Sequence, residues 1–308
     1  MSKRRLGRTD LFIEPMIFGC NVLGWTLEEA DSFRVMDAFV DAGLTAFDTA
    51  DVYGKGKSET ILGNWMKARG NRDKVLVLTK VGSDMGQGHR DLTAKWIAEE
   101  VDHSLKRLQT DVIDLYQTHW PDPNTPQEET LEALDRLVKA GKVRYIGSSN
   151  QDTKLFGEAL AISKAKGIAR YETVQNEYNL YDRGGFAEVQ DLCIKEDVSG
   201  IGYFSLARGF LAGKYRSAAD ADKSPRGKNV VDRYINDKGM RILKALDDIS
   251  KRTGATHAAI ALAWTNAQRG VGAPIASATS VEQLKSLIEG ATLTLSAEDE
   301  KLLTDAGR

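Results

Sequence analysis

The chain has 308 residues, of which 42% are hydrophobic and 28% are charged, and its formal net charge at pH 7 is −2. This balance offers no electrostatic attraction to nucleic acid or to anionic lipid, and no apolar stretch approaches the roughly 18 residues of a membrane-spanning helix. Two distant cysteines, Cys20 and Cys193, form neither a disulfide framework nor a zinc-site spacing. Since no apolar signal segment follows the basic N-terminus, we expect a reduced, cytoplasmic protein without a metal site.

Short apolar runs alternate with helical stretches along the whole chain. We predict strands at residues 16–19, 45–48, 75–80, 112–119, 143–148, 173–176, 200–204 and 273–276. We predict helices at residues 28–41, 58–68, 93–108, 126–140, 153–166, 186–195, 237–251 and 281–288. Nearly continuous apolar strands are typical of parallel sheets that helices cover. Eight such units in strict alternation predict a (β/α)8 TIM barrel, with residues 1–308 as a single domain.

Two segments exceed this repeat. The stretch LGRTDLFIEP at residues 6–15 predicts a β-hairpin that caps the barrel floor. Residues 206–233 are predicted to form a long polar loop after the seventh strand, and loops of this length are commonly functional or mobile. A doubly wound open sheet is the competing fold. It would need fewer strands, or a glycine-rich phosphate turn after one of them, and no G-x-G-x-x-G follows any predicted strand.

Polar and aromatic residues end most of the predicted strands. In chain order they are Asp48, Lys80, His119, Ser149 with Asn150, Gln175 and Tyr203. Tyr53 follows Asp48 by five positions, and Asp51 between them is expected to be a turn or cap residue. Each residue alone is more commonly structural, but the strand ends of a barrel open into one mouth, where active sites form. Because a buried ionisable group is costly unless it is paired, the joint pattern indicates a functional site.

The chemistry of this group indicates proton donation to an oxygen atom. A tyrosine phenol has an ordinary pKa of about 10, and the ammonium of Lys80 would lower the pKa of Tyr53 by favouring the phenolate. Asp48 is the expected partner of a buried Lys80, and His119 can orient a substrate oxygen. Tyr53 and His119 would face a carbonyl group that accepts a hydride, and the hydride must come from a cofactor.

The other residues of the mouth suit a nicotinamide. Ser149, Asn150 and Gln175 offer hydroxyl and amide groups for its carboxamide, and Tyr203 offers a ring face for stacking.

The sequence resembles the aldo-keto reductase superfamily, in its bacterial type, over essentially the whole chain. The motifs are LGRTDL (6–11), AFDTADVYG (46–54), LTK (78–80), DVIDLYQTHWPDP (111–123), GKVRYIGSSN (141–150), QNEYNL (175–180) and ARGFLAGKY (207–215). The resemblance implies a (β/α)8 barrel and NAD(P)H-dependent carbonyl reduction. It also implies a catalytic tetrad of Asp48, Tyr53, Lys80 and His119, with Tyr53 as the general acid.

The resemblance also assigns cofactor and substrate contacts. It implies carboxamide binding by Ser149, Asn150 and Gln175, and stacking of Tyr203 on the nicotinamide ring. The stretch that would wrap the pyrophosphate contains Leu206, Arg208, Gly209 and Lys214. Trp25 and Trp120 fall where the family has aromatic walls of the substrate pocket.

The stretch PIASATSVEQLKSL departs from the family pattern. Gln283 is in place, but Ser277 replaces a glycine, Thr279 and Ser280 replace a basic pair, and Leu287 replaces an asparagine. The missing cation weakens the electrostatic preference for a 2′-phosphate. The hydroxyls of Ser277, Thr279 and Ser280 can still bind phosphate, with Arg208 or Lys285 as nearby cations. We therefore expect NADP(H) as the favoured cofactor and NAD(H) as the alternative.

Two competing functions stay open. The family also contains non-turnover redox-sensing or regulatory subunits that bind a nicotinamide, and an intact tetrad does not exclude that function. A Schiff-base aldolase that uses Lys80 is the third hypothesis, since lysines at barrel strand ends can perform that chemistry. The sequence does not encode which small-molecule carbonyl or alcohol is the substrate.

Overall fold

The computed structural model describes residues 2–224 and 226–308. A two-stranded antiparallel hairpin, β1 (Arg4–Arg5) and β2 (Phe12–Ile13), comes first. Eight parallel strands then close a barrel: β3 (Ile17–Gly19), β4 (Ala46–Asp48), β5 (Leu76–Val81), β6 (Ile113–Thr118), β7 (Val143–Ser149), β8 (Tyr171–Glu177), β9 (Ser199–Tyr203) and β10 (Val271–Ala276). Each strand pairs with the next in sequence, and β10 pairs with β3. The prediction of a (β/α)8 TIM barrel is confirmed.

The helices surround the barrel. They are α1 (Glu29–Asp41), α2 (Lys57–Arg69), α3 (Ala94–Leu108), α4 (Gln127–Lys139), α5 (Thr153–Lys166), α6 (Gly184–Ala187), α7 (Gln190–Glu196), α8 (Gly227–Tyr234), α9 (Asp237–Thr253), α10 (His257–Ala267), α11 (Val281–Thr292) and α12 (Ala297–Ala306). Side-chain caps fix several of their starts. Asp152 accepts a hydrogen bond from the Leu155 amide, and Ser280 accepts one from the Gln283 amide.

Buried apolar side chains form two separate clusters, one between the strands and the helices and one inside the barrel. Residues that point outward from the strands pack under the helices in one large cluster, of which the fully buried Phe47 and Tyr116 are members. Residues that point inward form a second cluster with the hairpin, whose Leu6, Leu11 and Ile13 pack against the lower ends of the strands. The predicted hairpin cap on the barrel floor is therefore confirmed.

The structure differs from the predicted elements in four places, one of which is α12, a helix that was not predicted. The helix predicted at 186–195 is split into α6 and α7. The long loop at 206–233 contains two 3₁₀ segments, Ala207–Ala212 and Ala218–Lys223, and the helix α8. Helix α10 was not predicted because most of its residues are apolar and buried, so its sequence HAAIALAWTNA lacks an amphipathic pattern. None of the helices that the structure describes has the length and apolarity to cross a membrane.

Candidate active site

Strand periodicity places a polar layer above an apolar one inside the barrel. Successive residues of a strand point to opposite faces, so positions two apart point the same way. The apolar layer includes Ala46, Leu78 and Leu115. Two positions further along the same strands come Asp48, Lys80 and Gln117, all of them buried. The strand register pairs Lys80 with Gln117, which brings these side chains together at the C-terminal end of the barrel.

Asp48 and Lys80 form a buried ion pair at the centre of this layer. The ammonium of Lys80 donates to Asp48 Oδ1 at 2.5 Å and to the Thr49 carbonyl oxygen at 2.8 Å. The other carboxylate oxygen, Oδ2, accepts from the amides of Gln175 at 2.9 Å and Gln117 at 3.2 Å. Burial opposes the charge of Lys80, but Asp48 and Tyr53 outweigh it and raise the pKa of the ammonium. The predicted contact between Asp48 and Lys80 is present, and Lys80 is a cation at neutral pH.

Tyr53 lies on the turn between β4 and α2, where its side chain is half-buried. The centroid of its ring is 5.1 Å from Lys80 Nζ and 5.7 Å from the centroid of the His119 ring. Burial raises the pKa of Tyr53 above its ordinary value, although the charge of Lys80 acts in the opposite direction. The expected net lowering of this pKa is therefore wrong, because desolvation of the phenolate outweighs the ammonium. The consequence is that Tyr53 keeps its proton at neutral pH.

His119 is buried beside the tyrosine. Its Nδ1 lies 2.9 Å from the hydroxyl of Ser83, and its main-chain amide donates to the Val81 carbonyl at 2.8 Å. Burial and the positive charges of Lys80 and Arg90 lower the pKa of His119 well below its ordinary value, so the imidazole is neutral at pH 7. When the Ser83 hydroxyl donates to Nδ1, Nε2 carries the ring proton and becomes a hydrogen-bond donor.

The residues predicted to bind a carboxamide are neighbours across strands β7, β8 and β9. Ser149 Oγ donates to the Gln175 carbonyl at 2.7 Å, in agreement with their pairing in the sheet. The side-chain amide of Asn150 donates to the His119 carbonyl at 2.9 Å, and its Oδ1 accepts from the Tyr203 hydroxyl at 2.8 Å. The structure thus brings these residues together beside His119, while their contact with a carboxamide stays a prediction.

The segment after β9 has a backbone conformation suited to anions. Three consecutive residues, Ala207, Arg208 and Gly209, have φ values of 47°, 58° and 94°. Left-handed residues in a turn direct successive main-chain N–H groups toward one concavity, which favours an anion. Within residues 2–224 and 226–308, the buried Nε of Arg208 has no hydrogen-bond partner, and the guanidinium lies 4.4 Å above the ring of Phe204. Both features fit the pyrophosphate predicted here.

Two further residues predicted for this segment flank the turn. Leu206 precedes it and is partly buried, and the ammonium of Lys214 lies close to Gly209.

The segment after β10 is organised by its own hydroxyls. Ser277 Oγ donates to the Gly19 carbonyl at 2.7 Å, and both the amide and the hydroxyl of Thr279 donate to Gln283 Oε1, at 3.0 Å and 3.1 Å. Lys285 is paired with Glu282 at 2.6 Å. The predicted adenosine-end residues therefore lie together at the start of α11. The hydroxyls of Ser277 and Thr279 donate to internal acceptors in this structure, whereas the Ser280 hydroxyl accepts the Gln283 amide.

The two predicted pocket tryptophans lie on segments that border His119 and the turn after Tyr53. Trp120 stacks on His119 with ring centroids 6.1 Å apart and an interplanar angle of 18°. Trp25 is 54% exposed, and the main chain of its neighbour Gly24 borders Gly54, which follows the tyrosine. Trp120 therefore contacts His119, and Trp25 lies on the segment next to the turn that follows Tyr53.

Sequence reasoning missed two residues of this site. Gln117 binds Asp48 Oδ2, and the period of two along β6 could have identified it, because Leu115 and Gln117 share the inward face. Ser83 contacts His119, but nothing in the local sequence indicates that contact, since it depends on where the loop after β5 turns.

Comparisons with known proteins agree with the geometry. The chain matches the Aldo/keto reductase family over residues 15–307. It is 34% identical to the uncharacterized oxidoreductase YrpG of Bacillus subtilis over 311 aligned residues, which cover 97% of this chain and 94% of that protein. It is 36% identical to the aldo-keto reductase YhdN of the same organism, over 89% of this chain and 82% of that protein. With Protein tas of Escherichia coli the identity is 32%, over 97% of this chain and 95% of the relative. Strand order, the buried polar layer and these matches together establish that the chain belongs to the aldo/keto reductase family.

Proposed function

We propose that this oxidoreductase transfers hydride reversibly between a nicotinamide and an aldehyde or ketone, with Tyr53 as the general acid. The observation that carries the proposal is the arrangement of Tyr53 beside a buried ammonium and a neutral imidazole, with Lys80 Nζ 5.1 Å from the tyrosine ring. Members of the family act on small-molecule carbonyls with nicotinamide cofactors.

The four side chains have distinct parts in this reaction. Tyr53 holds its proton in the resting protein and donates it to the carbonyl oxygen as negative charge develops there. The ammonium of Lys80 stabilises the phenolate that remains, and Asp48 keeps that ammonium charged. His119, neutral and held by Ser83, donates a hydrogen bond from Nε2 to the same oxygen and orients it.

When bound, the nicotinamide supplies the hydride that no side chain can provide. Ser149, Asn150 and Gln175 would hold its carboxamide, and Tyr203 would lie against its ring. Leu206, Arg208, Gly209 and Lys214 would hold the pyrophosphate, and the unpartnered Nε of Arg208 supports this assignment.

We favour NADP(H) over NAD(H). Ser277, Thr279 and Gln283, with the Ser280 hydroxyl at the start of α11, would surround the 2′-phosphate, where the positive end of the helix dipole also attracts an anion. This chain would compensate for the absent basic pair by hydroxyl groups, since Lys285 is engaged by Glu282.

The charge state of Lys80 argues against the aldolase alternative. A Schiff-base lysine must lose its proton to attack a carbonyl, and such lysines have lowered pKa values. The pKa of Lys80 is raised and its ammonium donates to Asp48 and to Thr49. Borohydride treatment with a carbonyl substrate should therefore trap no adduct on Lys80.

Substitution of Tyr53 by phenylalanine tests the proposal. Tyr53→Phe should lower kcat by about 10²- to 10⁴-fold, because it removes the proton donor and leaves the ring in place. Tryptophan fluorescence titrated with NADPH and NADH should give the same Kd values as the wild type, with NADPH bound more tightly. Wild-type turnover over many cycles would exclude the non-turnover regulatory alternative. Near-normal turnover by Tyr53→Phe would reject the acid assignment, and tighter binding of NADH would reject the NADP(H) preference.

A further inference from the structure

A positive charge stands close to the reaction centre without a carboxylate partner. The guanidinium carbon of Arg90 lies 4.7 Å from the centroid of the Trp120 ring, and that ring stacks on His119. The charge of Arg90 also contributes to the lowered pKa of His119, after burial and Lys80. The Trp120 ring therefore lies between Arg90 and His119, the histidine that faces the candidate carbonyl site.

A second arginine lies over the ring of the other predicted pocket tryptophan. Arg226 directly precedes α8, and its guanidinium carbon lies 4.3 Å from the centroid of the Trp25 ring. Gly24, next to Trp25, borders the turn that follows Tyr53. The segment after β9 thus places a cation against Trp25, on the segment that borders the turn after Tyr53.

Neither arginine is neutralised within residues 2–224 and 226–308. No carboxylate oxygen lies within 4.0 Å of either guanidinium, and the hydrogen bond of Arg90 to the Pro121 carbonyl is long, at 3.5 Å. Arg233, on α8, shows the usual arrangement, because it pairs with Asp182 at 2.8 Å. Burial and the like charge of Arg208 lower the pKa of Arg226, as expected of a cation that has no counter-charge nearby.

We propose that Arg90 and Arg226 form an anion subsite at the mouth of the barrel, and that the substrate is an aldehyde or ketone bearing a carboxylate or phosphate group. This inference rests on the proposed carbonyl reduction. The carbonyl lies between Tyr53 and His119, and the anionic end of the substrate lies toward the two tryptophans. A guanidinium matches both anions because its N–H groups can bind two oxygens at once, and stacking on an indole holds it in place.

The same guanidinium groups could instead meet a phosphate of the cofactor, since Arg208 lies near Arg226. The two sources are distinguishable by experiment. If the arginines bind an anion on the substrate, their substitution lowers kcat/KM only for aldehydes that carry a negative charge. If they bind a cofactor phosphate, their substitution weakens nucleotide binding and lowers kcat/KM equally for every aldehyde.

The test compares two aldehydes of similar shape, para-carboxybenzaldehyde and the uncharged para-nitrobenzaldehyde. The measured quantity is the ratio of their kcat/KM values, which cancels any effect on the shared chemistry. Arg226→Gln and Arg90→Gln should each lower this carboxylate-to-nitro ratio by about tenfold, mainly through KM. Arg226→Lys should restore part of the ratio, because it keeps the charge and loses the bidentate geometry. Added salt should also reduce the wild-type ratio.

Lys228→Gln is the matched control. Lys228 is exposed on α8 two positions from Arg226, so its substitution changes the net charge by the same amount while Arg226 stays against Trp25. It should leave the ratio at the wild-type value. An equal fall of the carboxylate-to-nitro ratio in the Lys228 variant would mean that the net charge of the protein, and not a specific subsite, favours the carboxylate. That result would overturn the subsite.

The remaining outcomes separate this inference from the function on which it rests. A ratio unchanged in Arg226→Gln and Arg90→Gln overturns the anion subsite while carbonyl reduction stands. A weaker Kd for NADPH, with equal losses for both aldehydes, assigns the arginines to the cofactor and also overturns it. Failure of the wild type to reduce para-nitrobenzaldehyde would instead reject the proposed function itself.

Discussion

Asp48 ends β4 and Asp51 lies three positions later, in the turn that follows; both are buried, yet their surroundings differ completely. Asp48 is 2% exposed, and both of its oxygens accept hydrogen bonds, one of them from the ammonium of Lys80. Asp51 is fully buried, and its Oδ1 accepts only the amide of Val52, at 2.6 Å. Among the described residues, its Oδ2 has no partner.

Asp51 faces a second buried cluster, between the barrel and the helices α2 and α3. Arg107 binds Glu59 at 2.7 Å and Glu100 at 2.5 Å. This cation is therefore already shared by two carboxylates, and Asp51 is a third acid in the same cluster. Burial, Glu59 and Glu100 raise the pKa of Asp51 well above its ordinary value. Asp51 is therefore a neutral acid over a range of pH in which an ordinary aspartate is charged.

The difference shows that burial alone does not identify a functional carboxylate. A buried carboxylate with a dedicated cation can set the charge of that partner, as Asp48 raises the pKa of Lys80. A buried carboxyl group takes up a proton when the nearby cation is already paired with other carboxylates, and as a neutral group it contributes only packing. Substitutions in the two clusters should therefore have opposite consequences.

The largest effect is expected from Lys80→Met, which removes the cation from Asp48. Activity should be lost, and the free energy of unfolding should fall by about 3 to 5 kcal/mol, because a buried charge loses its partner. Urea unfolding monitored by tryptophan fluorescence measures the loss. The double variant Asp48→Asn with Lys80→Met removes both charges and should recover part of that stability without recovering activity. A double variant less stable than Lys80→Met would contradict the pairing argument.

The sequence predicted the first cluster and not the second, for a physical reason. Asp48 and Lys80 lie on neighbouring strands, and the period of two together with the strand ends places both at one mouth. Asp51 was expected to be a turn or cap residue. It does lie in a turn, but its charge state depends on Glu59 and Glu100, which α2 and α3 bring to it from separate parts of the chain.

The same distinction applies to the fold. The barrel strands can be predicted because they are apolar runs in the sequence. The start of α8 could not be predicted, because it depends on how the long segment after β9 packs. The direction of the pKa shift of Tyr53 also could not be predicted from the sequence. Burial and Lys80 have opposing effects on this pKa, and they can be compared only when the burial of the ring is known.

A smaller effect is expected from Asp48→Asn. The asparagine oxygen can still accept a hydrogen bond from Lys80, but the negative charge that raises the pKa of the ammonium is gone. Turnover at pH 7 should fall by about ten- to a hundredfold, less than in Lys80→Met. The alkaline limb of the pH profile of kcat should also shift to lower pH, because Lys80 loses its proton earlier. An unshifted alkaline limb would show that Asp48 does not set the charge of Lys80.

The smallest effect on activity, and the opposite effect on stability, is expected from Asp51→Asn. Asparagine has the shape and neutrality of a protonated aspartate, so kcat should stay within about twofold of the wild type. The folded state holds the proton of Asp51 more tightly than the unfolded chain, whose aspartates titrate near a pKa of about 3.9. Above that pH the unfolded state binds fewer protons than the folded one, so wild-type stability falls as pH rises, by at most about 1.4 kcal/mol per pH unit from this group.

Asp51→Asn removes that penalty because an amide does not titrate. Its Tm should match the wild-type Tm near pH 4 and exceed it by a growing margin as the pH rises toward the raised pKa of Asp51. Asp232→Asn, at an exposed position of α8, should give no such pH-dependent gain. A Tm difference that stays constant between about pH 4 and pH 8 would mean that Asp51 is charged in the folded protein. Asp51 would then differ from Asp48 in its hydrogen-bond partners alone.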